Sequence, residues 1–225
     1  MKRIEINYFS YEFFTQFSGD EVVIIPTHVL FWKPPNPFGQ WTYSPFEVDG
    51  INYNCAEQYM MASKARLFGD ISTEKRILES SNPKMQKQFG KLVAGFKEDI
   101  WIEFRQKIVF QGNLSKFTQN SSLRDCLMKT GNRHLVEASP FDKIWGIGFA
   151  ANQPEAYDST KWKGLNLLRE ILLVSYFCWA LGRCIHSAND QTWSVNPAAM
   201  AGVLCCHACA ALSRTRSVRT SQQKL

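Results

Sequence analysis

The sequence predicts an α+β fold, a single compact and mostly helical domain with a small sheet. Three observations carry this: short apolar segments broken by Pro and Gly open the chain, helix-like segments fill its middle, and two more short apolar segments precede a last long helix. At 225 residues and 25.8 kDa the chain is long enough for one sizeable core and leaves little room for a second domain.

Glu21–Ile25 and His28–Trp32 read as strands separated by Pro26, and Lys33-Pro34-Pro35-Asn36-Pro37-Phe38-Gly39-Gln40 reads as a loop that cannot be helical. Phe46–Tyr53 carries an Asp49-Gly50 dipeptide between alternating residues, the strongest hairpin signal in the chain. A helix is expected over Cys55–Phe68, stopped by Gly69, with Asn54 and Glu57 spaced for a capping box. Further helices are expected at Ser72–Ser80, Pro83–Leu92, Lys97–Phe110 and Ser121–Thr130. Strands are expected at Leu135–Ala138 and Ile144–Phe149, and a buried helix over Trp162–Trp179 with Ile171, Leu172, Val174, Ser175 and Cys178 inward. The domain is drawn at residues 1–182, because 183–225 turns Ala-, Cys-, Ser- and Arg-rich without a sustained period and is expected to be a poorly ordered, basic, Cys-containing tail.

The formal charge of +6 is concentrated at that end. Arg183, Arg214, Arg216, Arg219 and Lys224 against Asp190 leave +4 in the tail and +2 in the body, too little for a broad face wrapping a nucleic-acid duplex. The seven cysteines form no regular framework and the first residues form no apolar leader, so an intracellular, reducing setting, cytoplasmic or nuclear, is expected. The longest uncharged apolar stretches, Ile171–Leu181 and Ala198–Leu212, fall short of the ~20 residues of a membrane helix, and no membrane association is expected. Cys205-Cys206-His207 with Cys209 is too crowded for the usual paired metal ligands, and Gly146-Ile147-Gly148 lacks a third glycine, so neither a metal nor a cofactor is expected. His28 and His134 sit alone in strands, where a hydrogen-bonded structural role is expected. Nothing in the sequence sets an oligomeric state.

On a helical projection at ~100° per residue, Glu57 and Lys64 fall near the centre of the stripe made by Met60, Met61, Leu67 and Phe68, while Gln58, Ala62 and Arg66 fall opposite. Charges on an apolar stripe are costly unless paired, and a desolvated lysine moves towards a neutral, nucleophilic amine. The plainer readings are that Glu57 closes the capping box and that Lys64 extends along the stripe to water.

From Phe31 to Phe177 the chain resembles the NADAR superfamily. The resemblance runs, in order, through Phe31-Trp32, Phe38, Pro45–Ala65, Gly90-Lys91, Trp101, Leu135–Gly148 and Trp162–Leu168. It implies a pocket serving N-glycosidases of riboflavin-pathway intermediates or hydrolases that remove ADP-ribose from guanine. Glu57, Trp101 and Asp142 fall at its functional positions, and Lys64 ends its Glu-x-x-x-x-x-x-Lys motif. The chain departs from it where Phe38-Gly39-Gln40-Trp41 replaces the Phe-Ser-Asn-Phe often found there.

Cleaving a ribosyl C–N bond needs a carboxylate facing the positive anomeric carbon and a proton for the leaving base. Glu57, Lys64 and Asp142 are the catalytic candidates, with Lys64 able to form an imine with the opened sugar. Asp142 serves equally well as a turn cap or a ribose contact. Phe31, Trp32, Phe38, Trp101 and Trp145 offer aromatic faces for a base or equally for the core. Lys91 and the Lys163-Gly164-Leu165-Asn166 stretch, placed at a helix start, are candidates for phosphate. Three readings follow: a hydrolase of ADP-ribosylated guanine in DNA or RNA, an N-glycosidase of a phosphoribosylamino-pyrimidine, and a non-catalytic module binding ADP-ribose or NAD.

Overall fold

The computed structural model describes residues 22–180, with side chains through Tyr176; the tail expected at 183–225 and its cysteine–histidine group lie outside the described residues. Strands β1 (Val22–Ile24) and β2 (His28–Phe31) are antiparallel, and β5 (His134–Glu137) lies parallel to β2, pairing Val29 with Leu135 and Phe31 with Glu137. A parallel pair cannot be joined by a turn. The crossover from β2 to β5 therefore holds the rest of the middle of the chain: the hairpin β3 (Phe46–Val48) and β4 (Ile51–Tyr53), then helices α1 (Ala56–Leu67), α2 (Ile71–Glu79), α3 (Pro83–Lys91), α4 (Glu98–Gln119) and α5 (Ser121–Lys129). A 3₁₀ turn (Pro154–Tyr157) and α6 (Leu167–Ala180) follow β5. The architecture is α+β, as the sequence predicts.

Local chemistry explains most element ends. Asp49 and Gly50 both take positive φ, 52° and 74°, the paired left-handed residues that a two-residue hairpin turn requires. Asp70 accepts the Thr73 amide at 3.0 Å to start α2, and Asn82 accepts the Lys84 amide at 2.9 Å ahead of Pro83 to start α3. No helix among the described residues is long and apolar enough to cross a membrane.

Five expectations change. The capping box at α1 does not form: Cys55 is the N-cap, the Asn54 amide donates to Gln58 Oε1 at 2.7 Å, and the Glu57 amide donates to the Gln40 carbonyl at 2.9 Å. Nor does α1 keep a polar face, because α2, α3 and α4 pack around it and bury Gln58 and Ala62 along with the apolar stripe. Close approach of α3 requires Gly90, where a Cβ would stand 2.0 Å from Met61 Sδ. Helix α4 runs nine residues past Phe110, since Gln111-Gly112-Asn113, a turn-like triplet in sequence, is absorbed by packing: Asn113 pairs with the buried Gln40 amide at 3.0 Å.

The other two changes are linked. Residues 144–149 are not a strand but an irregular ribbon, and α6 begins at Leu167 rather than Trp162. The amides of Lys163 and Gly164 donate to the Ile147 carbonyl, that of Leu165 to Lys143 and that of Asn166 to Gly146, so 163–166 is a strap laid along the ribbon. Gly164 is obligatory there, because a Cβ would come within 2.2 Å of the Gly146 carbonyl oxygen. Along α6, Ile171, Leu172 and Ser175 are buried as expected, Val174 is only half-buried, and the Cys178 side chain lies outside the described residues.

Candidate active site

The C-terminal ends of β2 and β5 open into two loops, 32–45 and 138–149, and ligand sites favour such ends of parallel strands. Three carboxylates from three separate elements meet one lysine there. Glu57 comes from the first turn of α1 and is 2% exposed, with Oε1 lacking any hydrogen-bond partner. Glu137 ends β5, and its Oε2 is likewise shut off from solvent without a partner, although the residue as a whole is partly exposed. Asp142 stands in the loop after β5. Lys87, from the middle of α3, lies 3.9 Å from Asp142 Oδ2 and favours the ionised forms of Glu57 and Glu137.

One cation does not neutralise three buried or half-buried carboxylates. Burial pushes Glu57 up to about 7; Lys87 and a hydrogen bond from the Trp41 indole oppose the shift, and the Asp142 charge adds to it. Burial pushes Glu137 up to about 8, with the Asp142 and Glu57 charges adding and Lys87 opposing. Two carboxyl groups poised around neutrality in one place are an acid–base arrangement.

Lys64 lies two turns further along α1, about 10 Å from Glu57 along the axis, and takes other partners. Its Nζ donates to the Gly90 carbonyl at 2.9 Å and stands 4.0 Å from the Phe96 ring centroid and 5.5 Å from that of Trp101. Burial lowers its pKa, against which the Glu98 charge works. Lys64 is half-buried rather than sealed in the core, and Phe96 is exposed, so the amine sits at an aromatic-lined opening.

The loop after β2 is built to hold Trp41 against Glu57. Asn36 Oδ1 accepts the amides of Phe38 at 3.0 Å and Gly39 at 2.6 Å, and the Gly39 carbonyl accepts from Lys116 Nζ at 2.9 Å. Lys116 is fully buried in α4, and burial lowers it to about 7, with the Cys55 thiol opposing. The stretch that departs from the family's usual Phe-Ser-Asn-Phe is thus the one that places an indole on the catalytic candidate.

The remaining sequence candidates divide. Phe31 and Phe38 are completely buried, with rings 5.4 Å apart, and Trp145 is buried in the same core. Trp101 is buried beside Lys64. Trp32 is half-buried with its ring 5.9 Å from that of Phe141, which is 85% exposed next to Asp142. Asp142 takes the capping role, Oδ1 accepting the Ile144 and Trp145 amides at 2.9 and 2.8 Å, while Oδ2 faces Lys87. Lys91 is exposed at the end of α3.

The phosphate cradle expected at 163–166 is corrected. Its amides are all spent on the ribbon carbonyls, and exposed Lys163 lies 4.6 Å from the Phe149 ring centroid. Asn166 is buried and its side chain is occupied by β5, accepting the Glu137 amide at 3.1 Å and donating to the Leu135 carbonyl at 3.2 Å. It acts on the site through Glu137. His28 and His134 pair as tilted rings with centroids 5.2 Å apart at the N-terminal ends of β2 and β5, away from the site.

Sequence reasoning missed Glu137, Lys87, Trp41 and Lys116. Glu137 had a signal, a lone charge inside the otherwise apolar run from Leu135 to Ala138. Lys116 had one too, falling on the stripe of Val109 and Phe117, but ending the helix at Phe110 hid it. Lys87 stands among Lys84 and Lys91 with nothing to mark it.

The NADAR domain family model matches residues 30–174. N-glycosidase R617 of Acanthamoeba polyphaga mimivirus is 48% identical over 141 residues, spanning 60% of this chain and 83% of that protein. Protein irg-1 of Caenorhabditis elegans is 38% identical over 160 residues, spanning 64% and 76% respectively. N-glycosidase YbiA of Escherichia coli is 28% identical over 129 residues, spanning 56% and 79%. The NMR structure of the Escherichia coli protein YbiA superposes with a TM-score of 0.59 at 24% identity, covering 73% of this chain and 91% of that one, and so shares the fold.

Proposed function

Since the chain belongs to the NADAR domain family, we propose that it is an N-glycosidase that separates ADP-ribose from a modified guanine in DNA or RNA. The observation that carries this reading is the placement on one helix of a buried Glu57 carboxylate, whose Oε1 has no hydrogen-bond partner, and a half-buried Lys64 amine between aromatic rings. The printed names of two relatives, N-glycosidase R617 and N-glycosidase YbiA, support the reaction class.

In this reading the neutral Lys64 amine attacks the anomeric carbon as the base departs with a proton, and Glu57 faces the positive charge that develops on the sugar. The ring opens as the new C–N bond becomes an imine. Water then adds to the imine and the bond to Lys64 breaks, giving the free amine and a sugar aldehyde that recloses to the ring with an anomeric hydroxyl, so the net reaction adds one water across the original C–N bond.

ADP-ribosylated guanine carries two bases, and two separate aromatic stations suit it: Phe96 with Trp101 around Lys64, and Trp32, Trp41 and Phe141 around the carboxylates. Free, buried Cys55 and Cys126 suit a reducing compartment, cytoplasmic or nuclear.

The test is incubation with ADP-ribosylated guanine DNA and, separately, with a phosphoribosylamino-pyrimidine, with mass spectrometry of the products. Release of ADP-ribose from the first supports the reading. Release of sugar phosphate from the second alone moves the substrate to the riboflavin intermediate, and binding without release from either leaves a ligand-binding module in place of an enzyme.

A further inference from the structure

The buried carboxyl oxygens Glu57 Oε1 and Glu137 Oε2 have no hydrogen-bond partner, and the charged groups that face them are Asp142, from the loop after β5, and Lys87, from α3, beside the Trp41 indole. With all three carboxylates ionised, the cluster would hold two uncompensated negative charges beside two oxygens shut off from solvent, which is expensive enough that one group keeps its proton instead. Trp41 donates to Glu57 and stabilises it as the anion. At Glu137, among the described residues, the charge of Lys87 works against the proton.

We propose that Glu137 is the proton donor of this site, a carboxylic acid at neutral pH that protonates the departing base while Glu57 stays ionised against the sugar. This rests on the N-glycosidase reading. The Glu137 O–H bond breaks as the base nitrogen takes the proton and the glycosidic C–N bond opens, leaving Glu137 as carboxylate. The water that hydrolyses the Lys64 imine puts its hydroxyl on the sugar and returns the proton to Glu137 through solvent, so the cycle closes without any other reactant. The backbone of Glu137 is fixed on both sides, since Asn166 holds its amide and its carbonyl accepts the Ile147 amide at 3.0 Å. Burial raises the proton affinity of both groups, and the Trp41 hydrogen bond works against the proton at Glu57, which is the order of acid and base that the proposal needs.

The test compares wild type with Glu137→Gln, which keeps the shape of a neutral carboxyl group. In the ligand-free full chain, infrared spectroscopy should show a protonated-carboxyl band at pH 7 that fades towards pH 9 and is clearly weaker in Glu137→Gln, where the part that Glu57 contributes near its value of about 7 remains. In turnover, Glu137→Gln should lose about 100-fold or more at pH 7 and should lose the fall in rate that wild type shows as pH rises through 8. A band as strong in Glu137→Gln as in wild type, or turnover within threefold of wild type with the alkaline fall intact, overturns the acid role while leaving the N-glycosidase reading standing. Wild type that cleaves no ribosylated base removes both.

Discussion

Asn166 accepts the Glu137 amide at 3.1 Å through Oδ1 while its Nδ2 donates to the Leu135 carbonyl at 3.2 Å, so one buried amide from the start of α6 holds the end of β5 in register. Asn166 does this at φ 50°, a left-handed conformation that asparagine tolerates better than most residues. Asn166→Ala should lower stability by about 2–3 kcal/mol, from two lost buried hydrogen bonds and the strained φ. Asn166→Gly relieves the φ but not the bonds and should recover only part of that. Denaturant unfolding measures both, and Asn166→Ala within about 0.5 kcal/mol of wild type would show that the clamp contributes nothing.

Lys87 lowers the proton affinity of both Glu57 and Glu137. Lys87→Met should therefore raise both and move the pH optimum upward, while Lys87→Arg should return it to the wild-type position. The measurement is the pH dependence of kcat/KM on the substrate that wild type cleaves. An optimum that does not move in Lys87→Met contradicts the placement of this lysine in the site.

Lys116, beneath the Trp41 loop, is held by burial from its ordinary 10.5 down to about 7. Between those values the unfolded chain binds a proton that the folded chain does not, so this group makes stability rise with pH, by up to about 1.4 kcal/mol per pH unit, and levels off below 7. Lys116→Met removes that slope. Relative to wild type, the variant should be most stable near pH 6 and lose that advantage steadily towards pH 9, as read from melting temperatures. A difference independent of pH would mean that Lys116 keeps an ordinary proton affinity.

Much of the fold was legible because its signals are local: Asp49-Gly50 for the hairpin, Asp70 and Asn82-Pro83 for two helix starts, and Gly69 for a stop. The misread segments are those where tertiary contacts decide. Residues 144–149 alternate like a strand, but their carbonyls are taken by the strap at 163–166 instead of by a neighbouring strand. Gln111-Gly112-Asn113 stays helical because the Asn113 amide is claimed by Gln40, 73 positions away. The site follows the same division. The odd placement of Glu57 and Lys64 shows in a 14-residue window, whereas the gathering of Glu57, Lys87, Glu137 and Asp142 depends on four segments meeting across the long crossover and leaves no trace in local pattern.

In the proposed reaction everything turns on Lys64, lowered in proton affinity and held between Phe96 and Trp101, bonding covalently to the sugar. Borohydride reduction during turnover of ADP-ribosylated guanine, followed by peptide mass spectrometry to map the adduct, reads that bond itself. One sugar adduct is expected, on Lys64, absent from Lys64→Arg along with turnover. Turnover at the wild-type rate in Lys64→Arg, or an adduct carried by another lysine, would rule out the Lys64 imine.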